Sequence, residues 1–324
     1  MRATWLVSVA AGILLGSYVV ASDSSTDKAF LKPQFAGEWW QVAENPDLGP
    51  LTSERQQVVD FGIWRAADGT WQLWSCIRNT KEVGRTRLFY RWEGRHFSQS
   101  PWTPKGIAMR ADAAFGEQPG GLQAPFVRSI DGIFHMFYGG WDVICLATSK
   151  NGKDFVRKLN KEGKSVLFGP PEGFGNPRDP MVLQIGGRWY CYFTAHTRQE
   201  GAVFCRTSED LLNWSEVFVV AKGGQAGAGS YSAECPFVVE VRPGEYYLFR
   251  TQRYGANAQT SVYWSRNPLD FGVNEDDKHF VCTLPVAAPE IIFHENHWYI
   301  AALMPDLHGI RIARLEWVTP PPTK

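Results

Sequence analysis

Two short polar motifs near the middle of the chain hold residues suited to chemistry. The first is Arg178-Asp179-Pro180 and the second is Glu234-Cys235-Pro236. Each runs into an apolar stretch (residues 181–185 and 237–241), then a turn and an aromatic stretch (residues 188–193 and 245–249). Each carboxylate therefore reads as standing at a strand entrance. Proline is tolerated there because the first residue of a strand can do without a ladder N–H. Two carboxyl groups facing one centre, one as acid and one as base or nucleophile, meet the basic requirement for cutting a glycosidic bond.

The surrounding elements repeat. Residues 56–64 and 70–76 are strand-like runs joined through Ala67-Asp68-Gly69, and Asp-Gly between two such runs is a strong hairpin signal. A third run follows at residues 86–92. The unit returns at Pro125, Pro180, Pro236 and Pro289, spaced by roughly 55 residues. With the Asp60 hairpin this makes about five units, and few amphipathic helical stretches interrupt them. Small antiparallel sheets repeated radially form an all-β propeller, here five-bladed. The starts of its innermost strands ring one mouth of the axis, which would bring Asp60, Asp179 and Glu234 together.

Composition bounds the partners. Lys plus Arg and Asp plus Glu both total 33, so the balance gives no support for a nucleic-acid partner. The 14 Trp and 20 Phe suit both strand packing and sugar-binding clefts. Arg2, the apolar residues 5–20 and Val19-Val20-Ala21 read as a secretory signal cleaved near Ala21. The expected organisation is a signal over 1–21, a loose segment over 22–34, a propeller over 35–318 and a tail over 319–324. Such a chain is secreted or periplasmic, with no stable membrane insertion after cleavage. The six Cys permit one or two disulfides, with Cys191–Cys205 the nearest pair of strands. No spacing of Cys, His or Asp suggests a metal. The Gly-rich residues 222–230 lead into a strand, not a helix, so they do not read as a phosphate loop, and no cofactor is expected.

The two motifs in this order resemble those of family 32 glycoside hydrolases, and the repeat pattern resembles the wider group of five-bladed propeller glycosidases that includes family 43. That resemblance implies an exported enzyme acting on a polysaccharide or oligosaccharide through three carboxylates. It maps the nucleophile or general base to Asp60, the substrate-orienting carboxylate to Asp179 and the general acid to Glu234. The Asn-Asp-Pro-Asn-Gly run of family 32 is absent around Asp60, which is followed by Phe61-Gly62. Retaining and inverting routes both remain open. As acid, Glu234 is expected to sit among charges and burial that favour its proton, with Arg178 holding Asp179 or the sugar. Trp141, Asp142 and Arg253 join Arg178 as substrate-binding candidates, Arg250 reads as a surface arginine or one that reaches substrate, and Glu290 is a substitute acid. The rival reading is a glycan-binding propeller without catalysis.

Overall fold

The computed structural model describes residues 30–320. The expected signal segment and its cleavage site lie outside them, as do residues 321–324. Among the described residues twenty-two strands form five sheets.

The first sheet holds β2 (Gln57–Arg65), β3 (Trp71–Arg78), β4 (Leu88–Gly94) and β5 (Thr103–Met109). The second holds β6 (Gln123–Ile130), β7 (Ile133–Gly139) and β8 (Ile144–Ser149), with short β9 (Val156–Arg157) and β10 (Val166–Phe168) on its edge. The third is β11 (Gly175–Ile185), β12 (Arg188–His196), β13 (Gly201–Ser208) and β14 (Phe218–Gly223). The fourth is β15 (Glu234–Arg242), β16 (Glu245–Arg253), β17 (Gln259–Ser265) and β19 (Phe280–Leu284). The two-residue strand β18 (Val273–Asn274) lies parallel to β14. The fifth is β20 (Glu290–His294), β21 (His297–Leu303) and β22 (Gly309–Val318), completed by β1 (Lys32–Glu44).

These sheets are the five blades of an all-β propeller. Pairing of β1 with β22 closes the ring, because the N-terminal strand supplies the outer edge of the last blade. Leu31 N–H donates to Tyr247 Oη at 2.7 Å and anchors this strand on the fourth blade. Strand β1 thus begins inside the stretch expected to be loose, because closure of the ring recruits it. Among the described residues no helix is long and apolar enough to cross a membrane.

Alternation along each strand sends aromatic residues into the layers between blades. Phe193 and Phe204, directly opposed on β12 and β13, stack at 5.8 Å between centroids. Tyr247 packs on Trp317 at 4.5 Å, joining the fourth and fifth blades. All six cysteines are free thiols, five of them buried. Cys191 lies opposite Arg206 and Cys205 opposite Tyr192, so the two expected partners point to opposite faces of the sheet.

Three of the four prolines stand inside their strands, and only Pro289 directly precedes one. Pro180 lies in the middle of β11, where the pairing with β12 shifts between Arg178 and Met181. Similar shifts fall between Val59 and Phe61, Gln123 and Phe126, and Glu234 and Phe237. These are bulges, the other place in a sheet where a missing N–H does no harm. Just past the shift between Val59 and Phe61, two innermost strands approach closely. At Gly62 an added Cβ would collide with the Pro125 carbonyl of the next blade. Gly62→Ala is therefore expected to destabilise the fold by about 1–3 kcal/mol, the usual cost of overpacking against backbone. Chemical unfolding checks this, and an unchanged midpoint would contradict the close approach.

Candidate active site

Each innermost strand carries one residue with positive φ at the same place. They are Asp60 (φ 35°), Ala124 (42°), Asp179 (56°), Cys235 (45°) and, just ahead of β20, Ala288 (48°). None is glycine, so each holds a conformation that L-residues avoid, at roughly 1–2 kcal/mol apiece. All five line one cavity on the propeller axis. The residue after each is Phe61, Pro125, Pro180, Pro236 or Pro289, and the residue before is Val59, Gln123, Arg178, Glu234 or Ala287. Five repeats thus build one ring, and the side-chain types differ from blade to blade.

Three polar positions meet. Asp60, Asp179 and Cys235 each bring an oxygen or sulfur within 4.8 Å of the others. Cys235 Sγ–H and Tyr254 Oη–H both donate to Asp60 Oδ1, at 3.3 and 3.1 Å, and themselves lie 3.0 Å apart. Burial, then the charges of Asp179 and Asp60, push the Cys235 thiol up. Burial, then the Asp60 charge, do the same to Tyr254. Both groups therefore keep their protons and stay donors to Asp60.

Asp179 Oδ2 accepts from the Cys235 backbone N–H at 2.8 Å. Its Oδ1 is buried without a partner. Burial, then the Asp60 and Glu234 charges, push Asp179 up to about 8, against the opposing effects of Arg178 and the Cys235 N–H. The carboxyl driven toward its neutral form is thus Asp179.

Arg178 does not hold Asp179. Its Nε donates to Glu234 Oε2 at 3.1 Å and its Nη2 to Glu234 Oε1, a two-point grip between adjacent blades. Its Nη1 reaches Asn176 O at 2.8 Å and His196 Nδ1 at 2.9 Å. Burial and the Arg178 charge lower the imidazole of His196, which accepts through Nδ1 as a neutral ring. Gln123, the equivalent of Arg178 in the second blade, is fully buried, and neither amide atom has a partner.

The other candidates stand around the mouth at the ends of second strands. Trp141 follows β7 with φ 84°, its ring covered by the guanidinium groups of Arg85 and Arg87 at 4.5 and 5.1 Å. Asp142 is exposed and accepts from Gln118 Nε2 at 2.8 Å. Arg253 is exposed at the end of β16, next to Tyr254. Glu290 is not at the mouth. It lies two residues past Ala288 in the axial cavity, and burial holds its carboxyl well above the usual range.

The sequence reading missed Tyr254, and it assigned Arg250 to the surface or to substrate. Tyr254 directly follows Arg253, the residue that register places level with His196 of the third blade. Its place just past that strand end is the signal that could have found it.

Residues 101–288 match the glycosyl hydrolases family 32 N-terminal domain, a span that includes Asp179 and Glu234 and begins after Asp60. The sucrose-6-phosphate hydrolase of Escherichia coli is 33% identical over 134 residues, which is 41% of this chain. The chain spans 25% of the length of that relative. Among solved structures, an endo-arabinase from Bacteroides thetaiotaomicron superposes with a TM-score of 0.59 at 13% identity, covering 88% of this chain and 98% of the other. An exo-1,5-alpha-L-arabinanase from a bovine ruminal metagenomic library gives 0.56 at 18% identity, covering 81% and 92%. A thermostable family-43 glycoside hydrolase gives 0.58 at 15% identity, covering 84% and 92%. At these identities the structural likenesses show the shared fold.

The raised carboxyl of Asp179 makes stability depend on pH. Its folded value of about 8 lies above its unfolded value near 3.8. Stability linked to the neutral form is fully present below the unfolded value. It is lost as pH rises through the folded one, at up to about 1.4 kcal/mol per pH unit. Thermal melts are expected to fall from about pH 4 to pH 8, and Asp179→Asn to flatten that decline and melt higher at pH 8. A wild-type melt that rises across this window would contradict the assignment.

Proposed function

The chain belongs to the glycosyl hydrolases family 32 N-terminal domain family, and from that membership we propose that it hydrolyses glycosidic bonds of an oligosaccharide or polysaccharide at the axial mouth. The observation that carries this reading is the meeting of Asp60 and Asp179 on one axial ring, with Glu234 directly before the fourth blade's ring residue and its charge acting on Asp179, and Asp60 already oriented by two donors.

In this reading Asp60 is the nucleophile or the base that activates water. Asp179, in its neutral form, directs the unpartnered Oδ1 to a sugar hydroxyl. Glu234 is the acid. To act it must take up a proton and loosen its pair with Arg178. The guanidinium keeps Asn176 O and His196 Nδ1 as partners when that happens, so it stays in place. The Arg178–Glu234 pair is also the observation that favours the rival reading, a sugar-binding propeller without turnover, because a gripped carboxylate is a poor proton donor.

The substrate class follows from charge. Arg78 lies 6.0 Å from the ring of Tyr254, which itself donates to Asp60. Arg85 and Arg87 cover Trp141. These guanidinium groups stand on the Asp60 side of the mouth. They support a sugar with an anionic substituent, in line with the name of the Escherichia coli relative.

Two experiments test these points. Hydrolysis of a panel containing sucrose, phosphorylated sucrose, xylotriose and arabinotriose is expected from the wild type. It should drop about a hundred- to ten-thousandfold in Glu234→Gln. Equal rates in both proteins would remove Glu234 from the chemistry, and binding without hydrolysis in both would favour the sugar-binding propeller. Arg87→Gln should lower kcat/KM for the phosphorylated disaccharide, relative to its neutral parent, by about tenfold. An unchanged ratio would sink the anionic assignment.

A further inference from the structure

We propose that the groove above the third and fourth blades, built on Tyr231, is the subsite for the sugar that leaves. The proposal rests on the hydrolase reading and names where the departing half of the substrate lies. An acid delivers its proton to the leaving oxygen, so the leaving group must lie beside Glu234. Glu234 is turned toward the third blade by Arg178. From there a continuous path runs outward. Arg178 Nη1 meets His196 Nδ1 at 2.9 Å, and the His196 ring faces the Tyr231 ring at 5.3 Å. Phe174, Arg198 and Ser230 line the same groove, whose floor includes Gly173 and Gly175 with open space above them.

Tyr231 is 66% exposed, yet its backbone is tied down on both sides. Arg250 is fully buried and its guanidinium spends its donors on this loop. Nε reaches Ser232 O at 2.7 Å, Nη1 reaches Gly223 O at 3.1 Å, and Nη2 reaches Gly227 O at 2.9 Å and Ser232 Oγ at 3.3 Å. Gly201 N–H donates to Gly229 O at 3.1 Å, and a Cβ on Gly201 would strike the Ser230 carbonyl. Burying a cation without a carboxylate is costly unless its donors are satisfied. Here that cost goes into fixing the loop that presents one exposed aromatic ring. A ring held in place loses little entropy when a sugar face stacks on it, and the hydroxyls at the sugar edge find Ser230, Arg198 and the exposed side of His196.

The test compares substrates that share the glycone and differ in what leaves. Sucrose, xylotriose and arabinotriose are set against the matching methyl glycosides, which leave as methanol. In Tyr231→Ala the ratio of kcat/KM for saccharide over methyl glycoside is expected to fall about three- to tenfold, carried by KM, and Tyr231→Phe is expected to restore it. Calorimetry in the Asp60→Asn background, where turnover is expected to be slowed, should show the same weakening of saccharide binding by Tyr231→Ala. Ratios and affinities unchanged by Tyr231→Ala would overturn the subsite and leave the hydrolase reading standing. Tyr231-dependent binding in a wild type that hydrolyses none of the probes would overturn both the leaving-group assignment and the hydrolase reading.

Discussion

A left-handed backbone step, repeated once in every blade, sets the centre of this molecule. At Asp60, Ala124, Asp179, Cys235 and Ala288 the entering chain takes positive φ, and the side chain at that step joins the ring around the axis. A non-glycine residue resists this conformation, so the surroundings must over-determine it. The proline that follows in four blades fixes the next φ, and in three of them the bulged pairing absorbs the N–H it lacks. The geometry is common to all five blades and the chemistry is confined to some. The second and fifth blades place alanine on the ring, and the first, third and fourth place Asp60, Asp179 and Cys235.

Gathering carboxyl groups in this way works against stability. Asp60, Asp179 and Glu234 share a largely buried site with one gripping cation, Arg178. The excess negative charge is relieved at Asp179, whose proton becomes hard to remove. Tyr254 and Cys235 keep their protons for the same reason and lend them to Asp60 as hydrogen bonds. A site that holds protons on some groups while feeding hydrogen bonds to another suits the acid–base role proposed for it.

Much of this was legible from the chain. The prolines marked the repeat because each follows the ring residue of its blade, three of them at a bulge and Pro289 just ahead of its strand, and Arg178-Asp179-Pro180 and Glu234-Cys235-Pro236 marked the two blades with motifs. Asp60 was legible only by its place in the first hairpin, since Phe61 replaces the proline. The bulge itself was read as a strand entrance. A bulge and an entrance look alike in sequence, because both accept proline after a polar residue. Arg250 read as a surface or substrate residue because an arginine gives no sign that backbone carbonyls will satisfy it in the core. The pairing of Arg178 with Glu234 joins neighbouring blades, and no local pattern encodes such a contact. Closure by β1 was missed for a related reason, since its partner β22 lies at the other end of the chain.

The central claim is that the first blade completes the chemistry begun by the other two, and Asp60→Asn tests it most directly. The substitution keeps the side-chain shape at the left-handed step and removes the carboxylate that Tyr254 and Cys235 orient. The account predicts that kcat falls about a hundredfold or more while the melting temperature and saccharide affinity stay close to wild type. Undiminished turnover by Asp60→Asn would contradict it and leave the ring as a binding site with no catalytic part for the first blade.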